Sequence, residues 1–146
     1  MLENTIEKTI NNTPEIATKR ARILAFFIDF FIIFMIGMIF GYFFGEPVDG
    51  IGFELHGGPA LLMMLIGFFL WPISEGLWGQ TLGKRVVKLK VLTDDYESIE
   101  IVAAIGRYFF GFLDCMFLSG LIVAATNDKN KRIGDLVAKT IVVQLK

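Results

Sequence analysis

Between Ile23 and Gly45 the chain carries one charged residue, Asp29, in a run otherwise built from Phe, Ile, Met, Leu, Ala, Gly and Tyr. A helix needs about 20 apolar residues to cross the hydrocarbon core of a bilayer, so this run is long enough to span. The rest of the chain agrees. Only 20% of its 146 residues are charged and Phe alone counts 15, whereas an ordinary soluble domain has about 25% charged residues. Fourteen Lys and Arg against 15 Asp and Glu give a net charge of −1. That balance excludes the strong basic excess of a nucleic-acid binder, and no nucleic-acid partner is expected. The single Cys cannot form an internal disulfide.

The polar arm 1–22 ends in Lys19, Arg20 and Arg22, and a surface helix is expected over Pro14 to Lys19. The first span, 23–45, is followed by a loop, 46–58, that holds Glu46, Asp49 and Glu54 but no Lys or Arg. Basic residues mark the cytoplasmic side, so this loop is placed outside, with His56 solvated in it. A second span, 59–78, contains Glu75 and a Trp71-Pro72 step that should kink it. The loop 79–98 then brings Lys84, Arg85, Lys88 and Lys90 and returns the chain to the cytoplasm.

The third apolar stretch, 99–127, holds Arg107 and Asp114, and its longest uncharged part is too short to cross alone. The basic tail 128–146 favours a re-entrant segment bending near Ser119-Gly120 over a tilted crossing. Val87, Leu89 and Val91 alternate with lysines, and Ile141, Val143 and Leu145 alternate with Val142, Gln144 and Lys146. These segments read as strands that pair with each other. The expected fold class is an all-α integral membrane protein. It has two transmembrane helices, a third re-entrant or tilted apolar segment and a small two-stranded cytoplasmic ribbon.

Asp29 lies seven residues after Arg22, on the same helical face, and Asp114 stands in the same relation to Arg107. An acid within a membrane helix must face protein or water and is a functional-site candidate by default. The bland alternative is a buried pair that fixes helix packing. Glu75 adds a third carboxylate. Carboxylates near arginines can hold one proton or one small cation, so Asp29, Asp114 and Glu75 are the ion-binding candidates. The repeated spacing is also a faint sign of internal duplication.

Gly37, Gly41 and Gly45 form a small-xxx-small stripe that lets backbones approach. It could serve the chain's own helices, a homo-oligomer or a membrane-protein partner. Nothing matches a hydrolytic, redox or nucleotide-binding set, so neither catalysis nor a cofactor or metal is expected. Gly79-Gln80-Thr81-Leu82-Gly83-Lys84 lacks the spacing of a phosphate loop. Lys84, Arg85, Lys88 and Lys90 could meet anionic lipid.

Three segments resemble the RDD family of small, mostly bacterial membrane proteins, named for an arginine and two aspartates. They are Arg22 with Asp29, the run Gly79 to Arg85 followed by Leu89-Lys90-Val91, and Arg132 with Asp135 leading to Thr140 and Val143. The resemblance covers about residues 18–143 and makes Asp135 the second named aspartate; Arg107 also falls where the family commonly has an arginine. Gly134 and Lys139 depart from its pattern, where a larger residue and a glycine respectively are frequent.

The resemblance implies an integral protein of the bacterial cytoplasmic membrane, multi-pass with a cytoplasmic N-terminus. Some members are regarded as exchanging sodium, lithium or potassium for protons, and others as accessory subunits. The leading expectation is proton-coupled transport of a monovalent cation, with Asp29 as the exchanging carboxylate. Arg22 and Arg107 would tune it, while Asp135, near Arg132, could pair within its own turn or reach Arg22, Arg85 or Arg107. The alternative is a non-transporting scaffold or regulatory subunit whose Arg and Asp residues are structural.

Overall fold

A computed structural model describes residues 14–117 and 131–145, the side chains of 112–117 excepted. Helix α1 (Lys19–Phe44) starts on Thr18, whose side-chain oxygen accepts a hydrogen bond from the Ala21 amide at 3.2 Å. An N-cap residue has extended backbone, and Thr18 does (φ −67°, ψ 153°). The helix therefore cannot run back through it, and the surface helix expected over Pro14 to Lys19 is replaced by strand β1 (Glu15–Ile16).

Most of α1 is apolar and uncovered: Phe27, Phe31 and Phe43 are 61%, 62% and 69% exposed. Its buried residues are Arg22, Ala25, Asp29 and Gly41. A helix that exposes its phenylalanines and, beyond its first turn, covers its charges Arg22 and Asp29 needs hydrocarbon as its solvent.

A hairpin of β2 (Glu46–Pro47) and β3 (Phe53–Glu54) turns the chain after α1, within the loop 46–58. Phe53 explains the glycine stripe. Its ring fills the space where a Gly41 side chain would stand, and its Cβ lies 2.8 Å from the position of a Gly45 Cβ. Gly37 faces Met63. Within this chain the stripe thus packs against the hairpin and the second span. His56, in the same loop, is solvent-exposed, 3.3 Å from Glu54.

The second span is continuous over Gly57–Trp78. It comprises α2 (Gly57–Phe68), a π-helical turn (Phe69–Ile73) and α3 (Ser74–Trp78). Pro72 lies in the π turn, so the expected irregularity is a widened turn. The Ser74 hydroxyl donates to the Leu70 carbonyl at 2.5 Å and lies 3.1 Å from that of Trp71, satisfying carbonyl groups where the helical ladder is disturbed. Both long helices are apolar enough to cross a membrane, and most of their residues lie uncovered by the rest of the chain.

Beyond Trp78 the chain builds a sheet, and the two expected strands do pair, although the first starts at Leu89 and not at Val87, because Lys88 takes left-handed backbone (φ 56°). Strand β4 (Leu89–Thr93) runs antiparallel to β5 (Thr140–Gln144), with Val91 opposite Val142 at the centre. The ribbon is wider than expected, because β1 pairs with the far side of β5 and the order is β1-β5-β4. Ile141, Val142 and Val143 are consequently all buried. Leu89 and Val91 point inward with Ala17, Ala25, Ile99, Ala104 and Val142 to form the core.

The chain from Leu82 to Thr93 has the same plan as that from Ile133 to Gln144. Each begins with a five-residue helix, α4 (Leu82–Val86) and α6 (Ile133–Val137). Each then passes through a left-handed lysine, Lys88 (φ 56°) or Lys139 (φ 50°), into a five-residue strand. Their antiparallel pairing about Val91 and Val142 relates the two units by a local twofold axis.

The relation extends further. Ile16 pairs with β5 just before α1, and Ser98 bridges to Leu92 of β4 just before α5 (Ile101–Phe117). The repetition that the backbone displays is in these helix–turn–strand units, not in the Arg-x6-Asp spacing that hinted at duplication. The bend expected near Ser119-Gly120 lies outside the described residues, as do the side chains of Asp114 and Cys115.

Candidate functional site

Buried charges gather where α1, α3, α4, α5 and α6 meet beside the sheet. Asp29 projects from α1 toward the Gly79–Lys84 motif. Its Oδ2 accepts from the Thr81 hydroxyl at 2.5 Å and its Oδ1 from the Gly83 amide at 2.6 Å. Thr81 is also the N-cap of α4, accepting from the Lys84 amide at 3.3 Å. Gly83 is required by the approach, since a Cβ there would overlap the Ala25 carbonyl and come within 2.9 Å of Asp29. The family motif is therefore a cradle for the first aspartate. Around it, Gly79 takes a left-handed turn (φ 69°) that ends α3, and the Gln80 side chain donates to the Leu89 carbonyl at 2.7 Å.

Asp135 is the centre of the second group. Its Oδ2 accepts from Arg22 Nη1 at 2.7 Å and from the Arg132 amide at 3.1 Å, and its Oδ1 from Arg107 Nη2 at 2.6 Å. Of the partners open to it from sequence, it takes Arg22 and Arg107. It meets Arg132 through the backbone, and Arg85 goes elsewhere. Burial disfavours the Asp135 carboxylate, but Arg107, Arg22 and the Arg132 amide outweigh this and hold it down to about 2. Gly134 lets α6 pack here, because a Cβ would stand 2.9 Å from the Arg107 carbonyl.

Glu75 completes the cluster. It pairs with Lys84, and its Oε1 lies 3.0 Å from Arg107 Nη1. The contact with Arg107 lacks hydrogen-bond alignment, so Arg107 Nη1 and Nε stay without a hydrogen-bond partner, as do Arg22 Nε and Nη2. Burial, then the Arg107 charge, pushes the Lys84 ammonium below the ordinary lysine range; Asp135 and Asp29 pull the other way. Three carboxylates, Asp29, Glu75 and Asp135, thus meet three cations, Arg22, Arg107 and Lys84. Among the described residues no group of three His, Cys, Asp or Glu could hold a metal ion.

The RDD family model matches residues 16–139, most of the chain. The chain belongs to the RDD family. The Asp29 cradle and the Asp135 joint both lie inside the matched region. The chain is also similar to the uncharacterized protein YxaI of Bacillus subtilis (strain 168), with 33% identity over 88 residues. That similarity covers 58% of this chain and 58% of YxaI, so the chain spans a little over half the length of that relative. No solved structure matches it. Family and exposed apolar helices together make this RDD chain a membrane protein.

Some residues of the RDD site were not legible as partners from sequence. Lys84 was counted with the surface lysines of the loop, yet it turns inward to Glu75. Lys131, one of several tail lysines, is buried and pairs with Asp94. Gly76 was unremarked, although a Cβ there would stand 2.6 Å from Ile101 Cα, which makes it the contact that seats α5 on α3.

Proposed function

We propose that this RDD protein is a non-transporting membrane scaffold or regulatory subunit, multi-pass in the bacterial cytoplasmic membrane with its sheet and N-terminus inside. The observation carrying this reading is that all three buried carboxylates are already committed. Asp29 holds a hydroxyl on one oxygen and an amide on the other, and Glu75 and Asp135 are shared among Lys84, Arg107 and Arg22. A cation binding at Asp29 would compete for the two oxygens that hold the motif to α1. The charge balance of the cluster also leaves no surplus acid to attract it.

Exchange of sodium, lithium or potassium for protons is the second reading, and one contact favours it. Lys84 is a half-buried lysine with a depressed affinity for its proton, and it touches Glu75. Losing that proton would free a carboxylate for a cation.

Proton flux in liposomes under sodium, lithium or potassium gradients separates the two. The scaffold reading expects no flux above empty vesicles from folded protein. Cation-dependent flux that persists in Asp29→Asn and is lost in folded Glu75→Gln would replace it with exchange at Glu75. Flux lost in folded Asp29→Asn would return the exchanging role to Asp29.

A further inference from the structure

With Lys84 turned inward, the basic loop presents Arg85 and Lys88 to the outside. The two differ in what surrounds them. Arg85 lies over the Trp78 ring, 4.9 Å from its centroid, and no acid pairs with it among the described residues. Beside this stack is a cavity of about 170 Å³ between the π turn of the second span and α4. Phe69, Leu70, Trp78 and Leu82 form its apolar wall, and Arg85 supplies its charge. Lys88 is not among the lining residues.

Trp78 ends the second span, where a tryptophan suits the boundary between hydrocarbon and headgroups. An apolar groove that opens at this depth meets acyl chains, and an unpaired guanidinium at its edge meets phosphates, to which it can donate two parallel hydrogen bonds. We infer that the groove between the π turn and α4 is a site for one anionic phospholipid, with an acyl chain against Phe69, Leu70 and Leu82 and the phosphate on Arg85. Stacking on Trp78 holds the guanidinium extended over the groove and leaves its edge free for the phosphate. The site stands whichever reading of the protein's function holds, since it uses none of the buried acids.

Full-length protein in detergent, equilibrated with equal amounts of phosphatidylglycerol and phosphatidylcholine of identical chains, tests this by native mass spectrometry. Wild type is expected to retain phosphatidylglycerol in preference, with one molecule dominating. Arg85→Gln should lower that preference about fivefold, the loss expected for one basic contact to an anionic headgroup. Lys88→Gln should leave it nearly unchanged. Leu82→Trp, which fills the groove, should reduce retention of both lipids.

Equal losses in Arg85→Gln and Lys88→Gln would show diffuse surface charge and overturn the site. So would full retention in Leu82→Trp, or no preference in wild type. Arg85 and Leu82 are both exposed, and the thermal midpoint of each variant verifies that it is folded.

Discussion

Replacing Asp29 by alanine removes the acceptor for two buried donors, the Thr81 hydroxyl and the Gly83 amide. Hydrogen bonds to a charged group contribute about 1.5–3 kcal/mol each. Their joint loss should cost about 3–5 kcal/mol, allowing for some relaxation of the Thr81 hydroxyl. Asparagine is a gentler change. Its carbonyl oxygen still accepts from Gly83, and its amide can donate to Thr81 Oγ1, so the cost should fall to about 1–2 kcal/mol. Unfolding in mixed micelles titrated with SDS, followed by tryptophan fluorescence, measures both, and Trp78 ends the helix that leads into the motif. Thr81→Val in the Asp29→Ala background should cost less than alone, with a coupling of about 1 kcal/mol or more. If alanine and asparagine cost the same, or if neither moves stability by more than about 0.5 kcal/mol, Asp29 is not the clamp described here.

Asp135 supplies a pH dependence. Its carboxyl is held at about 2 against an ordinary 3.8, so the unfolded chain takes up the proton first. The stability it contributes is complete above pH 3.8 and is lost as pH falls through about 2, roughly 2 kcal/mol in all. Unfolding midpoints compared at pH 5 and pH 2.5 should show a smaller difference in Asp135→Asn than in wild type. Lys139 stands in left-handed backbone at φ 50°, and Lys139→Gly should raise stability by about 0.5–1 kcal/mol, since relief of the Cβ clash exceeds glycine's entropy cost; a lower midpoint would contradict the strain. Gly41→Leu drives a side chain into the Phe53 ring and should cost about 1–3 kcal/mol. Adding Phe53→Ala should recover part of that loss, whereas no recovery would place the stripe's critical contact elsewhere.

The spans were legible because they depend on something a sequence displays directly, the length of an uncharged run. The pairing of β4 with β5 was legible for a similar reason, since period-two alternation is a local property. What was hidden depends on contacts far apart in the chain. β1 is two residues long, and nothing in Glu15–Ile16 reveals that the edge of β5 awaits it. Asp29 and Thr81 were each singled out, but not the bond between them, because spacing along one helix says nothing of which loop folds back onto it. Arg107 was expected to support Asp29 and is bound to Asp135 and Glu75 instead. The matching Arg-x6-Asp spacings suggested two like helices, yet the equivalence that the backbone displays most clearly runs through Gly83 with Gly134 and Lys88 with Lys139.

That equivalence makes the charge pattern intelligible. Both short helices open with an amide needing an acceptor, and each receives a carboxylate, but from different sources. For α4 the acid comes from a distant helix, Asp29 on α1, and both of its oxygens bond to the motif. For α6 the acid is its own, Asp135, which accepts from the Arg132 amide with one oxygen while both oxygens also take a guanidinium. A local cap costs the carboxylate little of its bonding capacity, so the remainder can tie together the two long helices that follow β1 and β4. Arg22 arrives from α1 and Arg107 from α5, and Arg22 passes over Asp29, the acid seven residues further along its own helix, for Asp135. Asp29 joins α1 to α4, whereas Asp135 joins α1 to α5 through α6. The family's named residues are on this account two successive joints of one closure, and removing the second should loosen both long helices where removing the first loosens one.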